Sequence, residues 1–343
     1  MEVPSIFLNR ILSETAKRHA SSLHLTVGSS PTFRIDDELS PMAGEGIITA
    51  ELLTKIINSF LSPEEAAKLA IDKELILVKT FGGSFRFRVN IFFQKKLPSL
   101  SFFYIPDSIK NLSDFRFPPA LTDILKATAG LLIIAGPHGS GKTTTAASFI
   151  EEANKNSAIR IFTLEDPIEY SFVSKKSIVE QRQIGSDVKS FVDGLSYCLE
   201  EDIDLVYVGE IRKDLEQAVS LILELASGNC LVILEINAHN STRAIEKILN
   251  AAKAGMPDEA ARYSLSDALL GVLVQRLLPK HGGGMSLALE ILLANSAVKS
   301  LVKEGKIYQL ESVIQTSRKE GMLNMEKSLE ELVRNGEVGQ QDV

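Results

Sequence analysis

Residues 136–143 read G-P-H-G-S-G-K-T, which matches the phosphate-binding pattern G-x-x-x-x-G-K-[ST]. The pattern directly follows the apolar run 131–135 and directly precedes a run with helical spacing. Such a loop turns its backbone N–H groups toward phosphate oxygens at the positive end of a helix. A glycine-rich turn can also bind nothing, but the flanking strand and helix favour a nucleotide site. Its candidate binding residues are Gly136, Gly139, Ser140, Gly141, Lys142, Thr143 and Thr144.

Within this loop, two side chains have distinct expected roles. Lys142 supplies a positive charge to the β and γ phosphates. The Thr143 hydroxyl is placed to bind the Mg²⁺ that accompanies the nucleotide, which makes it the candidate metal ligand. We therefore expect ATP and Mg²⁺ as cofactors.

Composition narrows the class of protein further. The chain has 343 residues, a net charge of −7 and 45% hydrophobic residues, which predicts two globular domains. Its only cysteines, Cys198 and Cys230, cannot form a disulfide framework or a four-thiolate zinc site, and this scarcity suits a reducing compartment. The acidic balance argues against a general nucleic-acid or anionic-membrane binder. We expect a cytoplasmic protein with no direct membrane insertion.

The pattern along the chain changes near its first third. Residues 1–105 alternate helical and strand periodicities and predict a small α+β domain. Residues 106–119 contain three prolines and little periodicity, as linkers do. From residue 120 to 343, short apolar runs alternate with longer helical ones, which predicts an α/β fold with a mostly parallel sheet covered on both faces.

Hydrolysis requires a carboxylate in addition to the phosphate loop, normally at the end of a neighbouring strand. Two apolar runs end in acids, one at Glu165 and one at Glu210. An isolated carboxylate at a strand end is more often simply solvated, but a phosphate loop upstream favours a catalytic role. Both residues are therefore candidates.

Five stretches resemble one family. Residues 22–36 (S-L-H-L to R-I-D) are similar to its opening S-D-L-H-L…R-x-D-G, and residues 85–90 (F-R-F-R-V-N) to its R-F-R-x-N strand. Residues 163–169 together with 181–182 resemble its T-I-E-D-P-I-E…Q-R box. Residues 208–212 resemble its V-G-E-M-R Walker B segment. Residues 297–304 resemble its A-I-R-N-L-I-R-E segment. The chain thus resembles the secretion-type ATPases, and among them the PilT/PilU-like branch that retracts type IV pili.

The resemblance implies a fold, an assembly and site residues. It implies an N-terminal PAS-like α+β domain, a C-terminal RecA-like ATPase domain with a helical end, and a hexameric ring. Glu210 would be the Walker B catalytic acid, Glu165 would assist with water and metal, and Arg182 is a further catalytic candidate. Arg86 and Arg88 would reach the nucleotide of the neighbouring subunit; the alternative is that they are outward basic residues on one strand face.

Several positions depart from the family pattern. The His box T-G-H-L-V-F-G-T-L-H-T aligns with residues 227–237 only after a one-residue gap, and both histidines are missing. Asn237 stands for one of them, and His239 is either a displaced substitute or, as we favour, a solvated loop residue. Glu200 and Phe103 replace arginines, and Lys213 is an extra residue. These losses remove charge that would stabilise phosphoryl transfer.

Two main functions remain after these departures. The first is a Mg-ATP-hydrolysing hexameric motor that powers or assists pilus retraction and twitching motility, with reduced activity. The alternative is a nucleotide-binding paralogue that hydrolyses ATP weakly or not at all and regulates another pilus ATPase; a DNA-export ATPase ranks below both. Expected partners are further copies of the chain, another pilus ATPase and the inner-membrane platform protein, with no nucleic acid. The expected location is the cytoplasmic face of the inner membrane, through the pilus machine.

Overall fold

A computed structural model describes residues 4–343. The chain divides into two units. The first comprises residues 4–108 together with Leu278–Met285, and the second comprises Ile109–Leu277 and Ser286–Val343. Among the helices of residues 4–343, none combines the length and the apolar character that a bilayer crossing needs.

The first unit is built on a six-stranded antiparallel sheet with strand order β3-β2-β1-β6-β5-β4. Alternate residues of β5, among them Phe87 and Val89, are fully buried and pack with Phe102 of β6 in the apolar core of this unit. The elements are α1 (Pro4–Lys17), β1 (Ser22–Thr26), β2 (Thr32–Ile35), β3 (Glu38–Pro41), α2 (Ala50–Asn58), α3 (Pro63–Asp72), β4 (Glu74–Phe81), β5 (Phe85–Gln94) and β6 (Leu97–Ile105).

Helix α3 shows how local sequence sets an element boundary. Pro63 occupies the first turn, where its missing N–H costs nothing. The Ser62 hydroxyl accepts a hydrogen bond from the Glu65 N–H at 3.2 Å, and the Ser62 N–H donates to the Glu65 carboxylate at 2.8 Å. These two reciprocal hydrogen bonds fix the start of α3.

The second unit is built on a seven-stranded sheet with strand order β13-β12-β7-β11-β10-β8-β9. The neighbours from β12 through β9 run parallel. Its strands are β7 (Gly130–Ala135), β8 (Arg160–Glu165), β9 (Ile178–Gln183), β10 (Leu205–Val208), β11 (Leu231–Ile236), β12 (Leu269–Pro279) and β13 (Met285–Leu293). Its helices are α4 (Pro119–Thr122), α5 (Lys142–Asn156), α6 (Phe191–Glu200), α7 (Leu215–Ser227), α8 (Ser241–Ala252), α9 (Asp258–Ala268), α10 (Ser296–Glu304), α11 (Leu310–Thr316) and α12 (Met325–Arg334).

Both faces of this second sheet are covered. Every residue of β7 is buried, with Leu131 and Ile133 in one apolar cluster and Leu132 and Ile134 in another that includes the buried face of α5. The predicted parallel sheet with two covered faces is therefore confirmed. Because β7, β8, β10 and β11 run parallel, their carboxyl ends meet at one edge of the sheet, where the site lies.

Some elements have no counterpart in the sequence expectations. Strands β9 and β12 are the clearest examples. β9 is an edge strand made largely of partly exposed polar residues, so it lacks the apolar run that marks its neighbours. β12 follows α9 directly, without a turn residue to separate the two periodicities.

Candidate active site

The phosphate loop joins β7 to α5 and depends on its glycines. Gly136 has a φ of 154°, and a Cβ there would lie 2.3 Å from the Ser140 hydroxyl oxygen and 2.6 Å from the Gln275 backbone carbonyl oxygen. Gly139 and Gly141 have φ values of 77° and 87°, which side-chain-bearing residues rarely adopt. The loop thus forms a tight turn at the N-terminus of α5 that fits a bound phosphate.

Lys142, the first residue of α5, is buried beneath this loop. Its ammonium donates to the carbonyl oxygens of Gly136 and Pro137, each at 3.0 Å, and lies 3.6 Å from Glu210 Oε2. Glu210 comes two residues after β10 and is partly exposed. The structure therefore brings together the lysine and one of the two carboxylates that the sequence singled out.

The three threonines after Lys142 each bond to a different element. Thr143 donates to the Glu235 carboxylate at 3.3 Å, and the Thr144 and Tyr170 hydroxyls lie 3.0 Å apart. Thr145 accepts a 2.8 Å hydrogen bond from the buried Gln275 side chain of β12. The first turn of α5 is consequently anchored by hydroxyls rather than by apolar packing alone.

Glu165 ends β8 with only 3% of its surface exposed. The Thr163 hydroxyl donates to its Oε1 at 2.6 Å, and the Gln181 amide donates to the same oxygen at 3.1 Å. Burial raises the pKa of Glu165 to about 7, and the negative charge of Glu169 adds to the rise, while the two hydrogen bonds oppose it. A carboxyl with this pKa can gain or lose a proton near neutral pH.

Glu235 is a third carboxylate of the site, and the sequence analysis missed it. It lies in β11 with 4% of its surface exposed, and its Oε1 accepts a 2.6 Å hydrogen bond from the Tyr207 hydroxyl of β10. Burial raises the pKa of Glu235 to about 7, against the opposing effects of Tyr207 and Lys142. The available signal was a single acid inside the otherwise apolar run L-V-I-L-E-I.

Arg182 is not brought to this cluster. In the register of β8 and β9 it pairs with Leu164, so it lies on the sheet face opposite to Thr163 and Glu165. Its guanidinium donates to the Asp187 carbonyl at 2.8 Å and lies 5.3 Å from the Tyr197 ring centroid. Gln181, its neighbour in sequence, is the β9 residue that contacts Glu165.

Comparison with known proteins decides the family. The model of the family described as "Type II/IV secretion system protein" matches residues 2–335. The chain belongs to this family. This chain is 38% identical to a twitching motility protein of Neisseria gonorrhoeae over 252 residues, which are 73% of this chain and 67% of the relative.

Two further relatives match over nearly the full length. The type IV pilus retraction ATPase PilT of Pseudomonas aeruginosa is 32% identical over 341 residues, or 98% of this chain and 96% of the relative. A crystal structure of the pilus retraction motor PilT with bound ADP superimposes with a TM-score of 0.81 at 33% identity, covering 98% of this chain and 95% of that one. The predicted resemblance to the pilus-retraction ATPases and the two-part α/β fold are therefore confirmed.

The residues that depart from the family pattern lie in several parts of this chain. Asn237 and His239 are exposed and line a cavity of about 860 Å³ together with Arg212. Glu200 is the exposed last residue of α6, and Lys213 lies exposed in the loop before α7. This cavity lies beside the ends of β10 and β11.

In the first unit, Phe103 occupies the place of a family arginine. It pairs with Arg88 across β5 and β6, and the Arg88 guanidinium carbon lies 4.7 Å from the Phe103 ring centroid. Arg86 lies on the same face of β5, two residues earlier. A contact of these arginines with a neighbouring subunit remains a prediction.

Proposed function

We propose that this chain is a Mg-ATP-hydrolysing motor that works as a hexameric ring and powers type IV pilus retraction. The observation that carries the proposal is the 3.6 Å approach of the Lys142 ammonium to the Glu210 carboxylate under an intact phosphate loop. Relatives named for twitching motility and pilus retraction support the biological role.

In this proposal each residue of the site has one task. The loop N–H groups and Lys142 bind the β and γ phosphates and offset their negative charge. Glu210 orients the water that attacks the γ-phosphorus and accepts its proton, and Glu165 supports that step from the end of β8. Thr143 offers a hydroxyl ligand to Mg²⁺, which neutralises phosphate charge when bound.

A specific observation favours the alternative, a paralogue that binds ATP and regulates another pilus ATPase. Asn237 stands where the family has a histidine, and its amide cannot take up a proton near neutral pH. The exposed Glu200 adds negative charge where the family has an arginine. The retained Lys142, Thr143 and Glu210 favour the motor because they carry out the core positioning.

Turnover of Mg-ATP by the purified full-length chain distinguishes the two. Sustained phosphate release that Glu210→Gln lowers by at least a hundredfold supports the motor. Glu224→Gln, a change at an exposed acid near the end of α7, is the matched control and should leave turnover unchanged. ATP binding without turnover in the unaltered protein would exclude the motor and favour the regulatory paralogue.

Assembly and partners follow from the same proposal. We expect six copies in solution with Mg-ATP, measured as molar mass by light scattering. In cells we expect the protein at the cytoplasmic face of the inner membrane, bound to the pilus platform protein and to any second pilus ATPase. Salt-sensitive binding to DNA would instead favour the lower-ranked DNA-export ATPase.

A further inference from the structure

The carboxylate of Glu235 is out of place in an apolar strand. β11 is buried along its whole length, and the other residues of the strand are aliphatic. With the one-residue gap, position 235 aligns with a threonine of the family's His box, two residues before the histidine that Asn237 replaces. A charge taken out of water costs several kcal/mol unless partners compensate it, so the partners of Glu235 indicate what the residue does.

The first partner is the candidate metal ligand itself. The Thr143 hydroxyl donates its hydrogen to Glu235 Oε2 at 3.3 Å. A hydroxyl has one hydrogen and two acceptor lone pairs, and it can bind a cation only through a lone pair. With its hydrogen directed down to Glu235, Thr143 presents its lone pairs on the other side of the oxygen.

The second partner fixes the carboxylate. The hydroxyl of the buried Tyr207, which packs in the same cluster as residues of α5, donates to Glu235 Oε1 at 2.6 Å. One carboxylate oxygen is thereby occupied and the other is directed to Thr143. The three side chains form one hydrogen-bonded chain, from β10 through β11 to the first turn of α5.

We propose that Glu235 is a positioning residue for the nucleotide-bound divalent cation. Held by Tyr207, it accepts the hydrogen of Thr143 and so orients that hydroxyl. This inference rests on the proposed use of a Mg-nucleotide but not on hydrolysis or on pilus retraction. Residues that orient a metal ligand from behind typically change metal affinity by about 10–100-fold when they are replaced.

The test measures how much Mg²⁺ tightens the binding of fluorescent ADP to the full-length protein. Dissociation constants are measured with Mg²⁺ and with EDTA, and their ratio is compared between variants. Glu235→Ala should lower that ratio by about tenfold. Glu235→Gln, which keeps the shape but only one accepting oxygen, should lower it about threefold, because the amide nitrogen cannot accept the second of the two hydrogen bonds.

Two further variants sharpen the result. Tyr207→Phe removes only the hydroxyl that holds Oε1, and it should lower the ratio in the same direction by less than Glu235→Ala. Glu151→Gln is the matched control, because Glu151 is a buried acid of the same helix α5 that bonds to Asn154 and Lys175 instead. It should leave the ratio unchanged.

The outcomes separate this inference from the proposed function. A ratio within twofold of the unaltered protein in both Glu235 variants would overturn the inference, as would equal weakening with Mg²⁺ and with EDTA, since that reports damage to the phosphate loop. If Glu235→Ala does not fold, Glu235→Gln decides alone. No effect of Mg²⁺ on ADP binding to the unaltered protein also overturns the inference, whereas absence of hydrolysis contradicts only the motor.

Discussion

The Gln275 side chain donates from Nε2 to the Thr145 hydroxyl at 2.8 Å, across 130 positions of sequence. Both side chains are almost completely buried, Gln275 in β12 and Thr145 in the first helical turns of α5. This hydrogen bond connects α5, the helix that begins at the phosphate loop, to β12, which neighbours β7 on the side opposite to β11. Its loss should therefore weaken the second unit rather than the first.

Thr145→Val tests this bond, because valine keeps the shape of threonine and removes the acceptor. The change leaves a buried amide N–H without a partner, so we expect a loss of about 1–3 kcal/mol in the free energy of unfolding. Urea unfolding measures it. Adding Gln275→Leu should recover part of the loss, since removing both partners is less costly than removing one. A double variant as unstable as the sum of the single changes would contradict the coupling.

Sequence spacing was sufficient for the features that are local. The loop at residues 136–143 and the strand–helix alternation each depend on residues close together in the chain, and the structure has them where the pattern predicted. Glu165 and Glu210 follow the same logic, because each ends an apolar run whose direction is set by the parallel fold.

The spacing of residues in the sequence does not reveal how strands that are distant in the chain pair with each other. Glu235 lies below Thr143 only because β11 is inserted between β7 and β10. Likewise, Gln181 rather than Arg182 reaches Glu165, because the β8–β9 register pairs Thr163 with Gln181. A shift of one residue would exchange the two side chains between the faces of the sheet. The choice of Arg182 as a catalytic candidate came from the family motif and remains a prediction.

Gly136→Ala tests whether the loop tolerates a side chain at its tightest point. The new Cβ would meet a backbone carbonyl of β12 that cannot move without the strand, so the loop itself must shift. We expect ADP affinity to fall at least a hundredfold while the fold, measured by circular dichroism, is retained.

Gly139→Ala is the comparison for that variant. Its Cβ would meet nothing within 4 Å, and the change carries only the cost of a left-handed backbone, about 1 kcal/mol. ADP affinity should fall by tenfold or less. Equal losses in the two variants would show that backbone conformation, and not the contact with β12, sets the requirement for glycine at position 136.

The two cysteines should be inert in the folded protein. Burial raises the pKa of both Cys198 and Cys230 to about 12, whereas the thiolate is the form that reacts. At pH 8 the thiolate fraction is then about a thousandfold smaller than at the ordinary pKa of 9.0. Labelling with a maleimide or a disulfide reagent should be at least a hundredfold slower for the native protein than in urea. Rapid labelling of one thiol in the native protein would contradict the burial of that residue.

Glu165 should make stability depend on pH in a defined direction. The pKa of this carboxyl is 4.5 in the unfolded chain and about 7 in the folded protein, so between these pH values the folded protein binds more protons than the unfolded chain. The stability from the protonated carboxyl is fully present below pH 4.5 and is lost as the pH rises through 7.

Glu165→Gln removes this dependence, because the amide keeps the shape of the neutral acid at every pH. Relative to the unaltered protein, the variant should gain about 2 kcal/mol in free energy of unfolding when the pH is raised from 5.5 to 8. Urea unfolding of both proteins at the two pH values, without nucleotide, measures the difference. A difference that is the same at both pH values would show that Glu165 is ionised throughout this range, and a base that takes up a proton near neutral pH would then have to be sought elsewhere in the site.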